Sequence, residues 1–236
     1  MKIKISFCRQ LFQIVFLAGI CMTTATAQTS KKDPTDSQGW LGAKLNFDLP
    51  KGWATSAEYQ TRFINDLNTY NGSYISLGGE KKLAKFFTAE AGVRLALVEK
   101  GTYLRYSIGG EFNKKVSDAE FKLRLLAQNQ SQDFIEPDKA SEQSFSWRAR
   151  FLTSLKLSDE LSIFGSTEPV MKVGGAHFVD NWRNTFGLKF KLTKSTKFDL
   201  YYIYRPDYGK ATYNRYFNIF GFDLNHTIKI KKGKKK

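Results

Sequence analysis

The sequence predicts an all-β fold: an antiparallel, up-and-down β-barrel of about 10 to 12 strands, of the transmembrane outer-membrane type. Three observations predict it. The first is a two-faced stretch, Phe145 to Leu157, in which Phe145, Trp147, Ala149, Phe151, Thr153, Leu155 and Leu157 alternate with Ser146, Arg148, Arg150, Ser154 and Lys156. Leu152 alone breaks the polar row. A period of two separates aromatic from charged residues, where a helix would scatter them around its circumference. The second observation is an export leader at the N-terminus, and the third is a rhythm of short and long connections between alternating segments.

The leader comes first in the chain. Lys2, Lys4 and Arg9 make a positive n-region, Leu11 to Ile20 an apolar h-region, and Ala25-Thr26-Ala27 a small-residue cleavage site before Gln28. Its apolar run is shorter than the roughly 20 residues a membrane-spanning helix needs, so residues 1–27 read as a signal peptide that is removed. A lipoprotein signal at Leu17-Ala18-Gly19-Ile20-Cys21 is the weaker rival, because bulky Ile20 stands directly before the cysteine. Cleavage removes Cys8 and Cys21, the chain's two cysteines, and with them disulfides, thiolate nucleophiles and Cys-ligated metals. The formal charge falls from +15 to +12, because the leader carries three basic residues and no acid. Beyond residue 27 no apolar run approaches the length of a spanning helix, so a membrane-resident chain must be a closed barrel.

Residues 28–39, polar and carrying Pro34, read as a flexible lead-in to a barrel domain over residues 40–230. Leu41, Ala43, Leu45, Phe47 and Leu49 then oppose Gly42, Lys44, Asn46 and Asp48, and Pro50-Lys51-Gly52 turns the chain. Trp53, Thr55, Ala57, Tyr59, Thr61 and Phe63 oppose Ser56, Glu58, Gln60 and Arg62, completing a hairpin. Ser73 to Lys81 is a weaker strand. Phe87 to Leu97 sets alternate apolar residues against Thr88, Glu90, Gly92 and Arg94. Leu104 to Phe112 does so against Tyr103, Arg105, Ser107 and Glu111, and Phe121 to Ala127 against Glu120, Lys122, Arg124 and Gln128. After Phe145 to Leu157 comes a short strand, Leu161 to Glu168. Trp182 to Leu192, Phe198 to Tyr204 and Arg215 to Ile230 follow, and residues 231–236 form a basic tail. These segments number eleven, whereas bacterial single-chain barrels normally have an even number, so ten to twelve strands is the expectation.

The connections give the barrel two ends. Pro50 to Gly52, Lys82 to Lys85, Asn113 to Asp118, Ser158 to Glu160 and Thr193 to Thr196 are short. Ile64 to Gly72, Asn129 to Glu142, Pro169 to Asp180 and Pro206 to Asn214 read as longer, and Glu99 to Gly101 breaks the rhythm. Short periplasmic turns with longer external loops are the outer-membrane pattern. Alternation by itself does not say which face is outside, and a soluble periplasmic barrel that binds a ligand would turn the apolar face inward. Strand length near the roughly 9 to 11 residues of a tilted span, the loop rhythm and charges of both signs at strand centres favour the membrane arrangement. Trp53, Tyr103, Trp182 and Tyr204, near strand ends, fit interfacial girdles.

Strand by strand, residues 40–230 resemble the bacterial domain of unknown function 2490 family. The likeness is carried by Trp40, Glu58-Tyr59-Gln60-Thr61-Arg62, Gly92-Val93-Arg94, Glu168, Asn181-Trp182-Arg183 with Gly187-Leu188, and Tyr202-Ile203-Tyr204-Arg205. The resemblance implies an outer-membrane-like barrel, of a kind common in Bacteroidota, and implies no activity.

The polar face holds Glu58, Arg62, Glu90, Arg94, Arg105, Glu111, Arg124, Arg148, Arg150, Glu168, Arg183 and Arg205, with Glu120 and Asp199 beside them. In a narrow lumen such charges are costly unless they interlock, so Glu58, Glu90, Glu111 and Glu168 are expected to pair with Arg62, Arg94, Arg105, Arg148, Arg150 or Arg183 on neighbouring strands. Arginines outnumber acids, so the alternative is a narrow anion-selective path for acidic solutes. Catalysis is not expected. His177, in a Gly-rich loop, and His226, within a strand, are the only histidines, and no G-x-S-x-G, phosphate loop, H-E-x-x-H or EF-hand spacing occurs. The reading is therefore of an exported, non-enzymatic, monomeric barrel without cofactor or metal, in contact with outer-membrane lipid and not with nucleic acid.

Overall fold

The computed structural model describes residues 35–99, 101–134, 140–175, 177–208 and 213–230, with Phe134 by its backbone alone. The expected signal peptide, both cysteines and the basic tail lie outside the described residues. Eleven strands make up the fold: β1 (Thr35–Asp48), β2 (Trp53–Ile64), β3 (Thr69–Lys82), β4 (Phe87–Val98), β5 (Gly101–Val116), β6 (Ala119–Phe134), β7 (Glu142–Lys156), β8 (Leu161–Lys172), β9 (Asn181–Lys191), β10 (Thr196–Asp207) and β11 (Arg215–Lys229). Each strand pairs with its successor in antiparallel fashion, and β1 pairs with β11 to close the barrel.

The odd strand number has a direct geometric consequence. In an up-and-down chain the first and eleventh strands run the same way, so the closing pair must be parallel, and β1 and β11 are in parallel register from Thr35 opposite Tyr216 to Asp48 opposite Lys229. The expectation of an even count is corrected here. Because β1 and β11 are co-directional, the chain enters the barrel at one rim and leaves it at the other. The closing seam depends on close approach: a Cβ at Gly42 of β1 would fall on Oδ1 of Asp223, its register partner on β11.

The strands extend beyond the alternating segments. β1 begins at Thr35, not at Trp40, so part of the expected lead-in is wall. β6 runs to Phe134 and β8 to Lys172, which shortens the expected loops to 135–141 and 173–180. The expected long connection from Ile64 to Gly72 is a four-residue turn, 65–68. Asn65, Asp66 and Leu67 take left-handed φ values of 52°, 53° and 70°. The turn is tied to the start of β1, where Asp66 N donates to Asp36 Oδ1 at 3.0 Å and Ser37 N donates to Asp66 Oδ1 at 3.1 Å. At the opposite rim Pro50–Gly52 is a single 3-10 turn closed by left-handed Lys51 and Gly52.

Burial settles the sidedness. Leu41, Leu45, Ile75, Leu77, Leu97, Tyr106, Ile108, Leu125, Trp147, Leu200, Phe220 and Phe222 are all exposed on the outer surface. Gln38, Gln60, Gln128, Glu168 and Asn181 are buried. This inverts the soluble arrangement. An encircling apolar belt far exceeds the few hundred Å² of contiguous apolar patch that water-soluble monomers tolerate, and it matches a lipid-facing wall with a polar interior. The wall thus has the inside-out arrangement of an outer-membrane-type barrel and not the inward-apolar arrangement of a lipocalin-like one.

Aromatic residues mark the edges of the belt. Trp53 is exposed near one rim with the Lys81 ammonium 4.7 Å from its ring centroid, and Tyr204 stacks on Tyr216 near the other at 6.2 Å. Trp182 faces outward and donates to Thr167 Oγ1. Tyr103 departs from the girdle assignment: it shares the parity of Arg105 and therefore faces the lumen.

Candidate functional site: the charged lumen

The inward charges run in a continuous series from the short-turn end of the barrel to the loop end, with register partners such as Arg94 and Arg105, or Arg124 and Arg150, linking its turn-side, middle and loop-side groups. Nearest the short turns, Lys122 of β6 lies 3.1 Å from Glu111 and 3.7 Å from Glu120, Arg150 of β7 is 3.8 Å from Glu111, and Lys189 of β9 is 3.9 Å from Asp199 of β10. In the middle group Arg124 of β6 grips Glu90 of β4 with two nitrogens, its Nε donating to Oε1 at 2.6 Å. Arg94 of β4 reaches Glu58 of β2 at 3.4 Å and donates through Nε to Ser76 Oγ at 2.8 Å. Glu168 of β8 accepts from Arg148 Nε at 3.0 Å and lies 3.6 Å from Arg183 Nη1.

The group nearest the loops is built differently. Arg62 of β2 meets no carboxylate within ion-pair distance among the described residues. Its guanidinium carbon lies 3.9 Å from the Trp40 ring centroid and 4.0 Å from that of Tyr74, and its Nε donates to Gln60 Oε1 at 2.8 Å. Arg105 donates to Gln130 Oε1 at 3.0 Å, and Arg205 lies 4.1 Å over Phe217. A delocalised, weakly hydrated guanidinium tolerates aromatic faces in place of anions. Beside this stack Trp40, Ile203, Phe217 and Ile219 form a buried apolar cluster, with Ile219 wholly inaccessible. Both devices are built from inward side chains of β1, β2, β3, β10 and β11.

Three of the acid pairings skip a strand, contrary to the expectation of nearest neighbours. Glu58 and Arg94 reach over β3, where their common register partner is the short Ser76. Glu90 and Arg124 reach over β5, where Gly109 stands opposite Glu90 and leaves room for the bridge. Glu111 and Arg150 reach over β6. Strands two apart on a curved wall are separated by about 10 Å or less, a distance that an arginine and a glutamate span between them. Glu90 takes Arg124, which lay outside the expected partner set. Arg62 and Arg105 do not join the carboxylates at all.

A cavity of about 170 Å³ lies between Lys44, Glu58, Glu90, Arg94, Arg105 and Arg148. Such a volume has room for on the order of ten waters. It is below the roughly 300 Å³ at which sites for drug-sized ligands begin. Gln60 and Gln128, which alternation places on the polar face, are buried in the lumen, as are Gln38 and Asn181, which were not among the expected lumen residues. His226 lies on the outer wall, its Nδ1 3.0 Å from Thr196 Oγ1, and His177 lies in the 173–180 connection. Among the described residues no cluster of three His, Cys, Asp or Glu side chains could hold a metal ion.

Outer wall and lumen together define a closed transmembrane-type β-barrel protein with a charged interior. Within that class the chain belongs to the DUF2490 family, described as protein of unknown function, whose model matches residues 37–218. Among solved structures it is similar to a NanC porin in a rhombohedral crystal form, at 17% identity and a TM-score of 0.49, covering 72% of this chain and 86% of that one. It is also similar to OccK8 (OprE) of Pseudomonas aeruginosa, at 10% identity and a TM-score of 0.38, covering 71% and 57%. A comparison with curated proteins finds no match.

Proposed function

We propose that this chain is an exported outer-membrane barrel without enzymatic activity, whose charge-braced lumen is closed and whose loops serve envelope structure or binding. The proposal is carried by the Trp40–Arg62–Tyr74 stack beside the buried Ile219 cluster, in which bulky inward side chains of β1, β2, β3, β10 and β11 pack against one another on the loop side of the lumen. Export rests on the leader in residues 1–27. Membrane fractionation with unboiled and boiled gel samples tests the location. A heat-modifiable band in the outer-membrane fraction is the expected result, and a soluble periplasmic protein with unchanged mobility overturns the proposal.

A second reading has its own support. Among the described residues Arg62 and Arg105 are inward cations without a carboxylate partner, and excess positive charge in a narrow lumen favours anions. Single-channel recording separates the two readings. A silent bilayer agrees with a closed barrel, whereas steady anion-selective conductance that falls in Arg150→Ser establishes the channel.

A further inference from the structure

Arg94 of β4 and Arg105 of β5 stand directly opposite each other on the inward face of their ladder. Like charges in that position destabilise a sheet unless anions offset them. A second such pair, Arg124 and Arg150, has a carboxylate at each member, Glu90 and Glu111. The first pair is served less well. Glu58 reaches Arg94 at 3.4 Å, longer than the roughly 2.7–2.9 Å of a strong charged hydrogen bond, and no carboxylate lies within ion-pair distance of Arg105 among the described residues. Arg94 donates through Nε to Ser76 Oγ and through Nη2 to Glu58, and Arg105 donates through Nε and Nη2 to one oxygen, Gln130 Oε1. Nη1 of each makes no hydrogen bond among the described residues.

Both arginines line the cavity of about 170 Å³. The inward residues beside them on β3, β4 and β5 are small, namely Ser76, Gly78, Gly92 and Ser107, and leave the space open. Gln128 of β6, only 7% exposed, lines the same cavity. Its Oε1 accepts from Arg148 Nη1 at 3.5 Å, while its amide nitrogen has no hydrogen-bond partner among the described residues. The lining holds five cations and three carboxylates, an excess of two positive charges. Of those carboxylates Glu80 and Glu90 are register partners on the turn side, so the excess gathers at Arg94 and Arg105.

We infer that Arg94, Arg105 and Gln128 form a binding site for one doubly charged tetrahedral oxyanion, of the sulfate or hydrogen-phosphate type. Two guanidinium forks and one amide, from three successive strands, offer separate donors to separate oxygens. A carboxylate is satisfied by a single fork, and a halide presents no oxygens to match a fork. Space for on the order of ten waters admits a four-oxygen anion. The bound anion stands where the Arg94–Arg105 pair lacks a carboxylate, and its two charges balance the lining. The inference goes beyond the closed-barrel reading: it rests on the inward orientation of these residues and holds for a silent or a conducting barrel.

The test refolds the full chain in radiolabelled sulfate and counts the sulfate held by the heat-modifiable barrel at dialysis equilibrium. One sulfate per barrel is expected. Arg105→Gln should weaken binding about tenfold or more, as the loss of a charged donor does. Arg105→Lys keeps the charge without the fork and should weaken it less, and Lys51→Gln at the short-turn rim should leave it unchanged. Sulfate should also raise the conversion temperature of the wild-type band and not that of Arg105→Gln. Unlabelled sulfate and phosphate should both displace the label, and their relative strength identifies which the site prefers. A folded wild-type barrel that holds no sulfate, or that releases it equally to chloride at the same ionic strength, would overturn the inference. Release to acetate as readily as to phosphate would overturn the tetrahedral assignment. A chain that gives no heat-modifiable band under any refolding condition would overturn the barrel reading and this inference together.

Discussion

Glu168 accepts a hydrogen bond from Arg148 across the β7–β8 ladder, and its side chain is only 6% exposed. On its other side stands Arg183 of β9, its register partner. One carboxylate thus neutralises two guanidiniums in the lumen. Glu168→Gln keeps the shape of the side chain and removes its charge, leaving both arginines without an anion. Breaking a buried pair in this way typically costs about 3–5 kcal/mol. The expected outcome is a clear fall in the temperature at which the heat-modifiable band converts to the unfolded form. Glu120→Gln, in the more open turn-side group, should change that temperature little.

The Trp40–Arg62–Tyr74 stack predicts the behaviour of the bore. Arg62→Ala removes the group lying between the two rings, and with it cation–π contacts worth about 2 kcal/mol when desolvated. Planar-bilayer recordings should be silent for the wild-type barrel and show small, steady steps for Arg62→Ala. The conductance should favour anions, since Arg105, Arg148 and Arg183 remain on the inward face.

Parallel closure predicts the placement of the chain ends. Thr35 lies at the same rim as the 65–68 and 135–141 connections, and Lys229 at the rim of the short turns. Single-cysteine variants can report this, because the chain's two cysteines are at positions 8 and 21, within the leader. Thr35→Cys, Asn68→Cys and Glu142→Cys should react with an impermeant maleimide on intact cells. Lys51→Cys, Lys194→Cys and Lys229→Cys should react only after permeabilisation. An even-stranded barrel would place Thr35 and Lys229 on one side.

Glycines at the wall give a graded packing test. Gly221→Val places side-chain atoms where the Tyr201 ring lies, across the β10–β11 ladder, and should lower folded yield and conversion temperature. Overpacking of this kind costs about 1–3 kcal/mol. At Gly79 nothing lies within 4 Å of an added Cβ, so Gly79→Ala should leave the conversion temperature unchanged or slightly raised.

Much of this architecture was legible along the chain. Alternation with period two locates each strand, and all eleven segments read from it correspond to strands of the barrel. The same alternation sorts residues into two faces, so Arg148 and Arg150 could be placed opposite Trp147 and Phe151 without coordinates. Strand ends were less legible. At the rims neither face needs to be apolar, so the pattern fades while the backbone ladder continues, as it does through Gln128 to Phe134 of β6 and Thr35 to Gly39 of β1.

The sequence by itself determined the secondary structure, the two faces of each strand and the set of charges that share one face, because all three follow from local periodicity; which face turns inward was decided by the closed wall. Only the tertiary structure decided the parallel closure of β1 on β11, the choice of Arg124 for Glu90 and of Arg94 for Glu58, and the seating of Arg62 on aromatic rings. Those depend on register and on the curvature of the closed wall. Curvature brings residues of next-but-one strands together over Ser76 and Gly109, and no spacing measured along a single strand encodes that approach.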